Sequence, residues 1–309
     1  MRKLSVFDAH CDTISRCLET GEDLSRNSGM ISLDETEQAF ERYCQIFALW
    51  ADCAVDGHAN YRALLNCFRD QMRKNRVRIS HCCTAADAEA DEAHRQGKAA
   101  AFLSVEGAEL LDCDPCRLDQ AASDGVIAIN LTWNHANALS GSAKERPEQG
   151  LTPLGRRFMS RMEELHILVD VSHLSEAGFW DVIGQAKKPV LASHSNAKSV
   201  WNHTRNLTDE QITAIIKNQG VIGLNFYQEF VGLGRDLDAV RAHLDHILSL
   251  GGANCVALGG DWDGCDTIDA LPKITDLQRL YEYLLYRNYD ETVLGGLFYN
   301  NLMRVVRQN

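Results

Sequence analysis

Apolar residues along this chain gather in short, nearly unbroken runs, and between the runs they recur every three or four positions. The runs are KLSVFDAH (3–10), YCQIFALWA (43–51), AAAFLSVEG (99–107), VIAINLTW (126–133), HILVDVSH (166–173), PVLASH (189–194), GVIGLNFY (220–227) and NCVALGGDWDG (254–264). Runs of that length with little polar alternation predict parallel strands covered on both faces. The stretches between them predict helices. HANYRALLNCFRDQMRKNR is amphipathic at the helical period. TPLGRRFMSRMEELH opens with Thr152 as N-cap and Pro153 at the first helical position. TDEQITAIIKNQG holds Thr208 and Gln211 at capping-box spacing and closes on Gly220 as a glycine C-cap, while DLDAVRAHLDHILSLGG ends on paired glycines. Eight strands alternating with helices predict a (β/α)8 TIM barrel, with a doubly wound sheet as the alternative. No linker, repeat or low-complexity segment interrupts the 309 residues, so 1–309 reads as one domain.

Composition narrows the partners. The formal net charge of -12 argues against nucleic acid, whose phosphates need a basic face. The opening MRKLSVFDAH has two basic residues followed by only four mostly apolar ones, too few for a secretion signal. No apolar run reaches membrane-spanning length, so the expected compartment is the cytoplasm and no membrane partner is expected. The eleven cysteines, Cys44, Cys67 and Cys255 among them, are expected to stay reduced there. Cys113 and Cys116 form one C-x-x-C with no second pair at zinc-ribbon spacing, and read as a plain loop.

Candidate chemistry collects where the runs end, the end at which barrels of this type carry their active sites. The first run ends in His10-Cys11-Asp12. Alternate residues of an extended segment point to the same side, so His10 and Asp12 can share an ion while Cys11 faces away. The third run ends in Glu106, the fifth in His173 and the sixth in His194. The eighth ends in Asp261 after Gly259-Gly260, where missing side chains are expected to leave room for ions or substrate. A single histidine or glutamate at a strand end is ordinarily a hydrogen-bonded loop residue. Five of eight strands ending this way points to metal chemistry. Imidazole and carboxylate without thiolate suit Zn²⁺ and admit Co²⁺ or Mn²⁺. The set exceeds the three protein ligands usual for one catalytic ion, which predicts two divalent ions sharing a carboxylate. His58, His81, His94, His243 and His246 fall in helices or loops and read as surface or packing residues.

Taken in order, DAHCDT, SVEGAE, GLTPLGRRFMSRMEELHILVDVSHLSE, ASHSNAKSVWNHTRNLTDEQI, GLNFY, GGDWDG and LGGLFYNNLMRVV resemble the membrane (renal) dipeptidase family of zinc peptidases, barrels of the amidohydrolase-like group. The resemblance runs nearly end to end. It implies hydrolysis of dipeptides by a metal-activated bridging hydroxide, with C-terminal D-residues left open. It implies His10 and Asp12 on the first metal, Glu106 bridging both, and His173 and His194 on the second. It further implies Arg205 on the substrate's terminal carboxylate, Asp261 on its amine and in proton transfer, and Tyr227 lining the same pocket. The expected partner is a small dipeptide, and a homodimer is left open.

The chain also departs from the family. Animal members carry a secretion signal and a lipid anchor, and this chain is expected to have neither. They also have a histidine directly after a Leu-Thr pair, in contact with the tetrahedral intermediate. Here Leu131-Thr132 is followed by Trp133. His135, two residues on, is either the stand-in catalytic residue or an ordinary loop histidine, and Asn134 and Asn137 are other donors. Two rival functions remain: another binuclear-metal barrel hydrolase acting on amides or lactones, and a non-catalytic metal-binding protein.

Overall fold

The computed structural model describes residues 3–52, 56–83, 86–232 and 234–309. Met1 and Arg2, part of the opening weighed as a secretion signal, lie outside them. Nine strands follow in order: β1 (Leu4–Cys11), β2 (Phe40–Leu49), β3 (Ile79–His81), β4 (Ala99–Glu106), β5 (Val126–Asn130), β6 (Leu168–Asp170), β7 (Leu191–Ala192), β8 (Val221–Leu224) and β9 (Val256–Leu258). Every pairing is parallel. β1 lies between β2 and β9, the order continues β8, β7, β6, β5, β4, and β4 returns to β2. Eight strands therefore close a ring, the TIM barrel predicted, and the doubly wound alternative falls. Each predicted run holds one barrel strand. The extra strand β3 was not predicted. It pairs with Ala99 to Ala101 of β4, below the stretch from Leu103 that pairs with β5. Three residues with no alternation carry too little pattern to read.

The barrel's inside is identifiable from the packing. Phe7, Ile46, Phe102, Ala128, Leu168, Leu191, Val221 and Ala257 come one from each of the eight strands and form a single buried cluster. Only the interior of a closed ring brings all eight together. The helix Asn301–Gln308 joins them through Leu302, Met303, Val305 and Val306 and fills the N-terminal end. A larger apolar layer lies between the outer strand faces and the surrounding helices. With the lower end filled, the upper end is free for chemistry.

The helix starts follow the sequence signals. Thr152 accepts from Gly155 N with Pro153 in the first turn, and Thr208 and Gln211 make both halves of a capping box. The predicted glycine C-cap at Gly220 is corrected. The helix Asp209–Lys217 ends at Asn218, and the left-handed residue is Gln219 at φ 60°. Gly220 is small for another reason: a Cβ there would lie 2.5 Å from Val190 O.

The room expected beside Gly259-Gly260 is likewise not open space. A Cβ on Gly259 would lie 1.8 Å from Ser193 O, one on Gly223 would lie 2.0 Å from the same oxygen, and one on Gly260 would strike the Trp262 ring. These glycines let backbones and an indole approach closely. Gly259→Ala is therefore expected to destabilise the fold by about 1–3 kcal/mol, the usual range for overpacking. Gly184→Ala is the control. It sits in the helix Glu176–Gln185, its Cβ would meet nothing within 4 Å, and it should leave stability unchanged or raise it. Thermal denaturation of the two variants checks this; equal melting temperatures would contradict it. Among the described residues, no helix is long and apolar enough to cross a membrane.

Candidate functional site

A β-bulge at the top of β1 builds the first part of the site. Asp8 pairs with Gln45 and Cys11 with Phe47, so β1 holds one residue more than β2 over that stretch. The extra residue turns His10 inward after the apolar positions below it.

 Phe7 and Ala9 belong to the interior cluster, and His10 follows them into the same space. Its Nε2 lies 3.4 Å from Asp12 Oδ2, 3.5 Å from Glu106 Oε2 and 3.9 Å from Asp261 Oδ1. Glu106 is the last residue of β4, and its other oxygen, Oε1, lies 2.9 Å from His173 Nε2 and 3.5 Å from His194 Nε2. The two Nε2 atoms are 2.8 Å apart. The six side chains thus form two groups that meet at one carboxylate. His173 and Asp261 take left-handed backbone at φ 68° and 61° just past their strands, a strained conformation that functional sites hold more often than loops do.

The electrostatics suit cations. Burial pushes the Glu106 carboxyl up to about 7 and raises Asp261 as well. Burial would lower His10, but Glu106 and Asp12 outweigh it and hold this imidazole well above its ordinary value. His173 and His194 are held well below theirs, by burial first and then by Arg205 and His10. They are neutral imidazoles, the form that ligates. Ser193 Oγ lies 2.7 Å from His194 Nδ1, and Asn134 Oδ1 lies 3.1 Å from His173 Nδ1. A proton fixed on His173 Nδ1 leaves its Nε2 lone pair toward Glu106, the outer-shell arrangement usual behind metal-binding histidines. Among the described residues, His10 Nε2 and Asp12 Oδ1 are buried without a hydrogen-bond partner. Orphaned buried polar atoms beside crowded carboxylates are costly unless a cation joins them, so the residues fit divalent metal. His10, Glu106 and His194 form one group spaced for an ion, and His10, Asp12 and Asp261 form another.

Asp12, Glu106, His173 and Asp261 line a cavity of about 1180 Å³, shared with Trp133, Asn134, Lys144, His203, Arg205 and Tyr227. Arg205 is buried, and among the described residues its guanidinium reaches only His194 O, at 3.4 Å, with its Cζ 5.4 Å from the centre of the Phe230 ring. Its Nε has no partner among the described residues, and burial lowers the pKa of Arg205 to about 10. Tyr227 stands edge-on to Phe230 at 4.8 Å. His135 is not brought into this cavity. It lines a smaller one of about 240 Å³ with Glu106, Glu109 and Trp133. Its side chain is 61% exposed and lies between Asp52 and Glu145, at 3.6 and 3.5 Å. On this loop Trp133 and Asn134 face the larger cavity, while Asn137 is used internally, donating to Leu131 O and accepting from Leu139 N. His243 is a packing residue, with its nitrogens on Ala197 N and Val231 O.

The sequence reading missed the groups that hold the site in place. Asp8 Oδ1 accepts from His10 N at 3.0 Å, and its Oδ2 accepts from Gly260 N and Trp262 Nε1, tying β1 to β9. Asp170 Oδ1 accepts from Ser172 N and Ser193 N, tying β6 to β7. Asn225 Nδ2 donates to Asp261 Oδ2 at 3.0 Å. The signal was present in FDAH and VDVSH, where an aspartate stands two residues before the amide it caps.

A model of the membrane dipeptidase family, peptidase family M19, matches residues 1–309. An uncharacterized Klebsiella pneumoniae protein from the pqqA 5' region is 35% identical over 243 residues, covering 74% of this chain and 89% of that protein. A metallo peptidase from Rhodobacter sphaeroides, solved with a phosphinate mimic of the dipeptide L-Ala-D-Ala, superposes with a TM-score of 0.88 at 26% identity, covering 99% of both chains. The probable dipeptidase PvdM from Pseudomonas aeruginosa has the same fold, with a TM-score of 0.88 at 16% identity over 99% of this chain and 95% of that one.

Proposed function

Because this chain belongs to the membrane dipeptidase family and is a metal-dependent dipeptidase, we propose that five of its six clustered side chains hold two divalent ions and that Arg205 holds the substrate's free carboxylate. His10 and Asp12 would hold one ion, His173 and His194 the other, with Glu106 between them. Zn²⁺ is the first choice for this donor set, with Co²⁺ and Mn²⁺ as alternatives. When bound, such ions supply Lewis acidity toward an amide carbonyl and lower the pKa of water.

The chain's own residues do the rest. Arg205 orients the dipeptide through a two-pronged grip on its carboxylate, one residue from the bond to be cut. Asp261, held by Asn225, takes the proton of the attacking water and passes it to the leaving amine. On the loop after β5, Trp133 and Asn134 are better placed than His135 to touch the reacting carbonyl, because they share the cavity with Asp261 and Arg205. The L-Ala-D-Ala mimic held by the Rhodobacter sphaeroides peptidase supports extending the substrate range to C-terminal D-residues. The whole chain acts as one domain in this reading. The described cysteines are all free, which supports a reducing compartment such as the cytoplasm.

The observation that carries this reading is Arg205: a buried guanidinium, with no carboxylate pairing it among the described residues, on the same cavity as the metal-binding cluster. A buried cation without a counter-ion is a waiting anion site. Arg205→Met is expected to lower kcat/KM for free dipeptides by roughly one to two orders of magnitude, and Arg205→Lys to recover only part of that. Dipeptide amides should be poor for the wild type and lose little more. If both substrate types fall equally, Arg205 is structural. If the wild type cleaves amides as well as free dipeptides, a broader amide or lactone hydrolase describes the protein better.

A further inference from the structure

One carboxylate needs one cation, yet the cavity holds a second cation that nothing neutralises. Of its four lysine and arginine side chains, Arg16 is paired with Glu22 at 3.1 Å and approaches Asp263 at 3.9 Å, and Lys273 is paired with Glu35 at 2.5 Å. Arg205 and Lys144 are left, and among the described residues no acid pairs with Lys144. The acids nearest in sequence or on the same wall are engaged: Glu145 lies against His135 at 3.5 Å, and Glu229 is hydrogen-bonded with Tyr227.

Lys144 is exposed at its tip but fixed at its base. Ala143 N donates to His173 O at 2.8 Å, Ser142 Oγ donates to Asn134 O at 2.7 Å, and Lys144 N donates to Ser142 Oγ at 3.3 Å. The strap that carries Lys144 is therefore fastened to His173 and to the asparagine that orients it. Arg205 and Lys144 line the same cavity as His173 and His203. The second cation thus shares with Arg205 the cavity in which the C-terminal residue of a dipeptide would sit.

We propose that Lys144 is a specificity-determining residue that reads a second carboxylate, making dipeptides with a C-terminal aspartate or glutamate the preferred substrate class. This rests on the assignment of Arg205 to the main-chain carboxylate. A preference of this kind acts mainly through KM, because the side-chain charge is as distant in the transition state as in the ground state.

The test uses the Zn²⁺-loaded enzyme and the near-isosteric pair L-Ala-D-Asp and L-Ala-D-Asn, with the all-L pair beside them. The wild type should favour aspartate. Lys144→Met should lower the aspartate-to-asparagine ratio of kcat/KM roughly three- to tenfold, the scale of a partly exposed ion pair, chiefly through KM. Lys144→Glu should turn the preference toward L-Ala-D-Lys. Added salt should shrink the wild-type ratio, as expected for a screened contact. A wild type that does not favour aspartate, or a ratio unmoved by both variants, overturns the inference while neutral dipeptides are still cleaved in an Arg205-dependent way. If Arg205→Met leaves neutral dipeptides unaffected, the carboxylate assignment fails and this inference with it.

Discussion

Stripping divalent metal from the protein should abolish dipeptide hydrolysis, and returning Zn²⁺, Co²⁺ or Mn²⁺ should restore it. The expectation rests on what the site lacks. His10 Nε2 and Asp12 Oδ1 are buried without hydrogen-bond partners among the described residues, and Glu106 faces histidines on both of its oxygens. Two carboxylates and three imidazoles packed so closely are a poor structural core but a complete ligand set. Metal analysis of the active protein should give about two ions per chain, the stoichiometry of a co-catalytic pair. The metal-loaded form should also melt higher than the stripped form, since ligands that bind only the folded state stabilise it. Replacing His194 with alanine should lower metal content together with activity. Full activity in exhaustively stripped protein would contradict the assignment, and one ion per fully active chain would remove the bridging role from Glu106.

Asp261→Asn should lower kcat by on the order of a hundredfold or more, the range of general acid–base catalysis, with metal content retained. Its carboxyl is raised by burial and accepts from Asn225 Nδ2, while its free oxygen, Oδ1, is 3.9 Å from His10 Nε2. An asparagine keeps the shape and can still accept from Asn225, but it cannot take a proton. Kinetics and metal analysis of the same preparation separate the roles. Loss of ions with loss of rate would make Asp261 chiefly a ligand, and near-normal turnover would remove it from the chemistry.

The parts of the molecule most legible in the sequence were those set by periodic burial. A strand covered on both faces must be apolar throughout, so the eight barrel strands stood out, and a ligand at a strand end breaks such a run visibly. His10, Glu106, His173, His194 and Asp261 were all found that way, and they converge. Other features depended on contacts between residues far apart in sequence. The bulge that re-aims His10 comes from pairing with β2. The glycines at 223 and 259 answer to a carbonyl at Ser193. The loop after β5 is the clearest case. Trp133, Asn134 and His135 are consecutive, and nothing local decides which of them faces the cavity; the hydrogen bond from His173 to Asn134 and the acids on either side of His135 do.

The pairing of β1 with β9 also constrains how the protein is made. Asp8 pairs with Leu258, and Asp12 N donates to Trp262 O, so β1 waits for β9, made about 250 residues later. Until residue 262 has emerged, β1 has a neighbour on one side only, and Asp8 lacks the Gly260 and Trp262 donors that satisfy it. Contacts of such sequence separation form late and slowly. His10 and Asp12 therefore spend most of synthesis on an unclosed edge, far from Asp261. Complete assembly of the site needs the chain through β9, and a truncation that removes β9 forfeits both the seam of the barrel and the partner on which β1 depends.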